Sequence, residues 1–126
     1  MKILIDTSIW IEWITDGNLA SQVQHYLKKL ENIIVPTIVQ FELYRWLCRE
    51  RDIDTAISII AITEQCMVIP LDTTLALFAG DIAIEHKLAM ADAIVYATAV
   101  QSGALLITCD KHFSQLKDVK YYSKSS

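Results

Sequence analysis

Four carboxylates in this 126-residue chain stand where apolar runs stop or where a charge is out of place: Asp6, Glu42, Asp92 and Asp110. Asp6 directly follows the run KILI at 2–5, and Asp110 lies three residues past LLI at 105–107. Short apolar runs of this kind, ended by Asp, Pro or Thr, read as buried strands. Ligands of an open parallel sheet gather beyond the carboxyl ends of its strands, so Asp6 and Asp110 meet there if their strands are neighbours. Asp92 is the only charge in residues 88–100, a stretch apolar enough all round to form a buried helix. A buried carboxylate needs a donor, a cation or water. As an N-cap it would accept from the amide of Ile94 or Val95, and that role is compatible with an oxygen turned outward. Glu42 lies at the margin of an apolar helical stripe, where it either pairs with Arg45 at i+3 or faces the same edge.

Two carboxylates about 4 Å apart repel by roughly 4 kcal/mol at an effective dielectric of 20, so four together call for protons or a cation. At neutral pH a hard divalent ion with oxygen ligands fits best: magnesium, or manganese in its place. Other chemistries are poorly supplied. Cys48, Cys66 and Cys109 are an odd set without CxxC spacing, which argues against disulfides and zinc. Cys109 reads as packing beside Asp110. His25, His86 and His112 are far apart without ligand spacing, and only His112 falls near the acids.

The elements that must position these acids follow from the remaining pattern. Runs at 2–5, 33–35, 67–69 and 105–107 read as strands, with a last edge strand at 119–122. Helical spacing fills the intervals, which predicts an α/β fold: a three-layer α/β/α sandwich with a mostly parallel central sheet. Thr37 and Gln40 resemble a capping box for a helix carrying Val39, Leu43, Trp46 and Leu47. Asp52 or Asp54 starts another with Ile57, Ile60 and Ala61, and Asp72 caps one reaching about His86. Gly103 sits at the expected C-terminal cap of the Asp92 helix. The length suits a single domain over 1–122, with a disordered tail at 123–126. No apolar run reaches a membrane span, and Asp6 interrupts the N-terminus before a signal-peptide core develops, so a cytoplasmic location is expected. The net charge of −4 opposes nucleic acid, although Arg45, Arg49, Arg51 and Lys111 place positive charge close to the acids in sequence.

Four segments, DTSIW at 6–10, QFEL at 40–43, ADAIVYATA at 91–99 and TCDKHF at 108–113, resemble the ordered motifs of PIN-domain nucleases, above all the VapC-type toxins of toxin–antitoxin pairs. The resemblance implies a magnesium-dependent endoribonuclease. In it Asp6 and Asp92 bind the metal directly, Glu42 and Asp110 complete the centre directly or through water, and Thr7 or Thr108 adds a hydroxyl. A divalent ion would activate water for in-line attack on RNA phosphorus, with Glu42 or Asp110 positioning that water or taking its proton. Many relatives carry Asp or Asn where this chain has His112. The resemblance further implies an RNA substrate, a cognate antitoxin and a homodimer. Trp10, Trp13, Tyr44 and Trp46 could form an apolar groove for the antitoxin beside the acids, or else pack in the core. Two rivals share parts of this pattern. A magnesium-dependent phosphatase or phosphotransfer domain fits worse, because Ser8 stands where a second acid is wanted and no lysine partners Asp72. A noncatalytic PIN-like RNA- or protein-binding module would keep the scaffold while losing acids, and all four are present.

Overall fold

The computed structural model describes residues 1–124. Five strands, β1 (Ile3–Ile5), β2 (Ile33–Pro36), β3 (Met67–Ile69), β4 (Leu105–Thr108) and β5 (Val119–Tyr121), form one sheet in the order β3-β2-β1-β4-β5. Every neighbouring pair is parallel. The predicted α/β/α sandwich is the fold observed, and the last strand is an edge as expected. β1 sits in the middle with every residue buried, which explains its unbroken apolar sequence.

Helices α1 (Thr7–Ile14), α2 (Ala20–Val23), α3 (Thr37–Glu50), α4 (Ile53–Thr63), α5 (Thr73–His86) and α6 (Met90–Ser102) link the strands, with 3-10 turns at 24–28, 30–32 and 111–113. Asp52 Oδ1 accepts from the Thr55 amide at 2.7 Å, which resolves the Asp52 or Asp54 alternative, and Asp72 Oδ1 accepts from the Leu75 amide at 2.9 Å. Gly103 ends α6 in the left-handed region at φ 63°, where a Cβ would be strained.

Two local expectations fail, and one open alternative is decided. Thr37 is the first helical residue of α3 rather than its cap, because the extended Pro36 leads straight into the helix. Gln40 reaches instead to Thr63 Oγ1 at 3.1 Å and Glu64 Oε2 at 2.7 Å, tying α3 to α4. In α4, Ile57 and Ala61 face solvent, while Ala56 and Thr63 are buried. An isoleucine-rich helix offers two apolar faces, and only its packing against α3 selects one. Trp10 is fully buried in the core and packs edge-on against Trp13 with centroids 6.1 Å apart, so it cannot share a groove with Tyr44. Of the expected tail, Ser125 and Ser126 lie outside the described residues, while Lys124 Nζ stands 3.6 Å from Glu12 Oε2.

Removing the α5 cap by Asp72→Ala should lower stability by about 1 kcal/mol, and Asp72→Asn should recover most of it. Urea unfolding of the two variants measures this, and equal losses in both would show that the cap bond contributes nothing.

Candidate active site

Parallel pairing of β1 with β4 sets Ile5 opposite Ile107, and the Asp6 amide donates to the Ile107 carbonyl at 2.9 Å. This register delivers Asp6 beside Thr108 at the carboxyl edge of the sheet. Asp6 turns the chain from strand into helix, and its carbonyl accepts the amides of Ile9 and Trp10, the first bonds of α1. Its carboxylate is left for the site, and it is 6% exposed. Ser8 Oγ and Thr108 Oγ1 both donate to Oδ2, each at 2.8 Å. The two hydroxyls are themselves oriented from the β4 side: Ser8 Oγ accepts from the Cys109 amide at 3.2 Å, and Thr108 Oγ1 from the Asp110 amide at 2.9 Å. Oδ1 accepts from no described group.

The other acids arrive from helix and loop starts. Glu42, in the second turn of α3, accepts a hydrogen bond from Thr7 Oγ1 at 2.7 Å, so α1 orients it and the surface pairing with Arg45 does not form. Arg45 instead lies over the Phe41 ring at 5.2 Å. Asp92 stands in the first turn of α6, which begins after Ala89 and has no side-chain cap, so the N-cap reading of Asp92 fails. Ala93 through Ala99 are all buried, as the apolar stretch requires, and Asp92 is carried at their exposed end. Asp110 opens the 3-10 turn at 111–113, its Oδ1 accepting from the His112 amide at 2.9 Å.

His112 is the residue sequence spacing underrated. Its Nδ1 lies 2.9 Å from Asp110 Oδ1 and 3.4 Å from Asp92 Oδ2. Ligand atoms of Asp92, Asp110 and His112 all fall within 4.8 Å of one another, the one group of metal-binding type among the described residues. Asp6 is outside that tight group, although electrostatics joins it to the rest. Burial pushes the Asp6 carboxyl up to about 6, the Ser8 and Thr108 hydroxyls pull it back, and the charges of Asp110 and Glu42 raise it again. Burial likewise raises Asp92, with Asp110 and Glu42 adding to the shift and His112 opposing it. Asp110 and Glu42 thus act on both Asp6 and Asp92, which joins the four predicted acids at one edge.

This donor set fits a hard divalent cation. It is dominated by carboxylate oxygen, it is overloaded with like charge, and its most buried member is costly to ionise without a counter-charge. Ser8 was missed as a site residue, and its signal was a hydroxyl two residues past a strand-end acid. Glu12 is a further buried acid, apart from the four: its Oε1 accepts from the Leu19 amide at 3.1 Å, and a Cβ on Gly17 would come within 2.7 Å of its carboxylate. A lone acid between Trp10 and Trp13 is the same kind of signal as Asp92 in its apolar helix. Cys109 is buried packing, as expected, and burial raises its thiol.

The PIN domain family model matches residues 3–119. No curated protein matches the chain. Among solved structures, a toxin–antitoxin complex from Klebsiella pneumoniae superposes with a TM-score of 0.80 at 22% identity, covering 98% of each chain. VapC20 of Mycobacterium tuberculosis, described as a sarcin–ricin loop cleaving toxin, gives 0.79 at 19% identity, covering 97% of this chain and 100% of that one. A DNA-bound VapBC from Salmonella typhimurium gives 0.78 at 16% identity with 99% of each covered. At such identities the likeness is one of fold.

The Asp6 shift carries a sign that can be measured. Its folded pKa of about 6 exceeds the ordinary 3.8, so folding favours the protonated form. Its contribution to stability is full below the ordinary value and is lost as pH rises through about 6. In metal-free protein with chelator, Asp6→Asn should therefore be more stable than the wild type by up to ~3 kcal/mol near pH 8, with the gap closing towards pH 4. Denaturant titrations at the two pH values test this, and a gap that fails to narrow on acidification contradicts the assigned burial cost.

Proposed function

This chain belongs to the PIN-domain family, and on that footing we propose that it is a magnesium-dependent endoribonuclease, the toxin of a toxin–antitoxin pair, working in the cytoplasm. The observation that carries the reading is the gathering of Asp6, Glu42, Asp92 and Asp110 at one sheet edge, each acid fixed by a different element. RNA as substrate is supported by VapC20, a toxin of the same fold described as cleaving the sarcin–ricin loop. An antitoxin partner is supported by the toxin–antitoxin complexes of that fold.

In this reading Asp6 and Asp92 hold the ion, which can be magnesium or manganese. Ser8 and Thr108 grip Oδ2 of Asp6, so Oδ1 is the oxygen it presents. Bound there, the ion would supply a more acidic water and positive charge opposite the phosphate oxygens. Glu42, held in place by Thr7, is oriented to take a proton from the attacking water. Asp110, held by the backbone of its own 3-10 turn, is the other group that can position that water.

A homodimer is also proposed, through the exposed face of α5. Leu77, Gly80 and Ile84 share one stripe of α5, with Leu77 68% and Ile84 81% exposed. Beside this stripe, between α5 and α6, lies a hollow lined by Ala76, Gly80, Ala83 and Met90. Protrusions beside a hollow on one helix surface suit a two-fold contact between identical surfaces.

Purified protein freed of any partner should cleave RNA when magnesium is added and stop when it is chelated. Asp92→Asn and Glu42→Gln should each lower the cleavage rate roughly 10²- to 10⁴-fold while leaving the fold intact by circular dichroism. Cleavage that persists in chelator would remove the metal from the mechanism, and unchanged rates in both variants would remove the site.

A further inference from the structure

A nuclease with a net charge of −4 and an acidic centre must still attract a polyanion, and two of the arginines near the acids in sequence are engaged locally. Arg49 is paired with Glu50 at 3.0 Å and Arg45 lies over Phe41. Positive charge gathers elsewhere, where the turn at 24–28 meets the edge strand β5. Residues 24–29 and 119–124 hold four lysines and a histidine and no acid.

Aromatic rings run through the same patch. The rings of His25 and Tyr26 are in tilted contact, with centroids 4.0 Å apart and planes at 36°. The Tyr26 hydroxyl hydrogen-bonds the Tyr122 hydroxyl at 2.7 Å, with the rings edge-on at 6.4 Å. Lys120 Nζ lies over the Tyr122 ring at 5.4 Å. His25, Lys28, Lys120 and Lys124 are exposed, and both tyrosines are partly so. Lys124 offsets the buried Glu12, while Lys28 forms no ion pair among the described residues.

The patch adjoins the acidic centre. The Tyr122 amide donates to the Thr108 carbonyl at 2.8 Å, and the Thr108 hydroxyl donates to Asp6 at 2.8 Å. One residue of β4 thus holds the last aromatic with its backbone and the buried acid with its side chain. Rings that offer a π-face to unpaired bases, interleaved with lysines that meet phosphates, form the combination that takes single-stranded nucleic acid without reading its sequence.

We propose that the edge formed by His25, Tyr26, Lys28, Lys120 and Tyr122 is the track that seats a single-stranded stretch of the RNA substrate and leads it to the acidic centre. Bases stack on the exposed ring of His25 and along the tyrosines, and the lysines hold the backbone. This track rests on the ribonuclease reading, since it names how that substrate is held.

The test is binding rather than cleavage. Asp92→Asn protein is titrated with a fluorescein-labelled single-stranded RNA of about 12 nucleotides, read by anisotropy from about 50 to 200 mM salt. Added Lys28→Ala and Lys120→Ala should together weaken binding about tenfold and flatten the log–log salt slope by about 1.4, near 0.7 for each phosphate no longer neutralised by a lysine. Added His25→Ala should weaken binding about fivefold or more with the slope unchanged, because stacking releases no counterions. Arg49→Ala, away from the track, should leave both values alone. Affinity and slope unchanged in the lysine and histidine variants, or no RNA binding at all, would overturn the track, and in the former case an acidic protein segment becomes its occupant. Wild-type cleavage with magnesium is scored separately. Cleavage without these binding effects defeats the track alone, and binding effects without cleavage defeat the catalytic reading alone.

Discussion

A carboxylate withdrawn from water at the end of a central strand has to be held by donors or neutralised, and much of this molecule is arranged around that requirement at Asp6. Two hydroxyls meet its Oδ2, one from the start of α1 and one from the end of β4, 102 residues away in sequence. Hydrogen bonds to a charged group are worth about 1.5 to 3 kcal/mol each, yet the carboxyl still sits near pKa 6. Burial and the neighbouring acids therefore outweigh the two hydroxyls. The residual cost of ionising Asp6 is what makes the edge receptive to a cation.

The sheet order turns that local demand into a site. β1 lies between β2 and β4, so the acid it carries is flanked by whatever those strands deliver at the same edge. β4 delivers Thr108 and Asp110. β2 delivers α3, whose Glu42 is captured by Thr7, the first residue of α1. Only α6 reaches the edge without being the direct continuation of a neighbouring strand. Its apolar surface is buried around its whole circumference, which fixes Asp92 at its open end. Each acid thus owes its place to the hydrophobic burial of the element behind it, since burial resists the mutual repulsion that would otherwise spread the carboxylates apart.

The proposed RNA track depends on the same strand. β5 pairs with β4 in a register that sets Thr108 opposite Tyr121, so the aromatic and basic residues around Tyr122 are tied to the residue that supports Asp6. Holding a polyanion beside an acidic centre needs this separation of charge. In that proposal, lysines at the edge strand would attract the RNA backbone, while the acids would concentrate a cation where the scissile phosphate lies.

Much of the fold was legible in the sequence, because strand and helix signals reside in short windows. Runs such as KILI and LLI, the caps at Asp52 and Asp72, and Gly103 in a left-handed turn are satisfied within a few residues, whatever the rest of the chain does. The four acids were legible for a related reason: a strand-end position, or a lone charge in an apolar helix, conflicts with local physics unless something compensates it. What compensates was decided by tertiary structure alone. Sequence left Asp92 between a cap and a ligand and offered Glu42 to Arg45, whereas packing started α6 too early for Asp92 to cap it and gave Glu42 to Thr7. It also buried Trp10, exposed Ile57, brought His112 to two acids and joined Tyr26 to Tyr122. Periodicity states that a residue has an apolar side or an unmet charge, but its partner is set by strand order and register, which act between segments as far as a hundred residues apart.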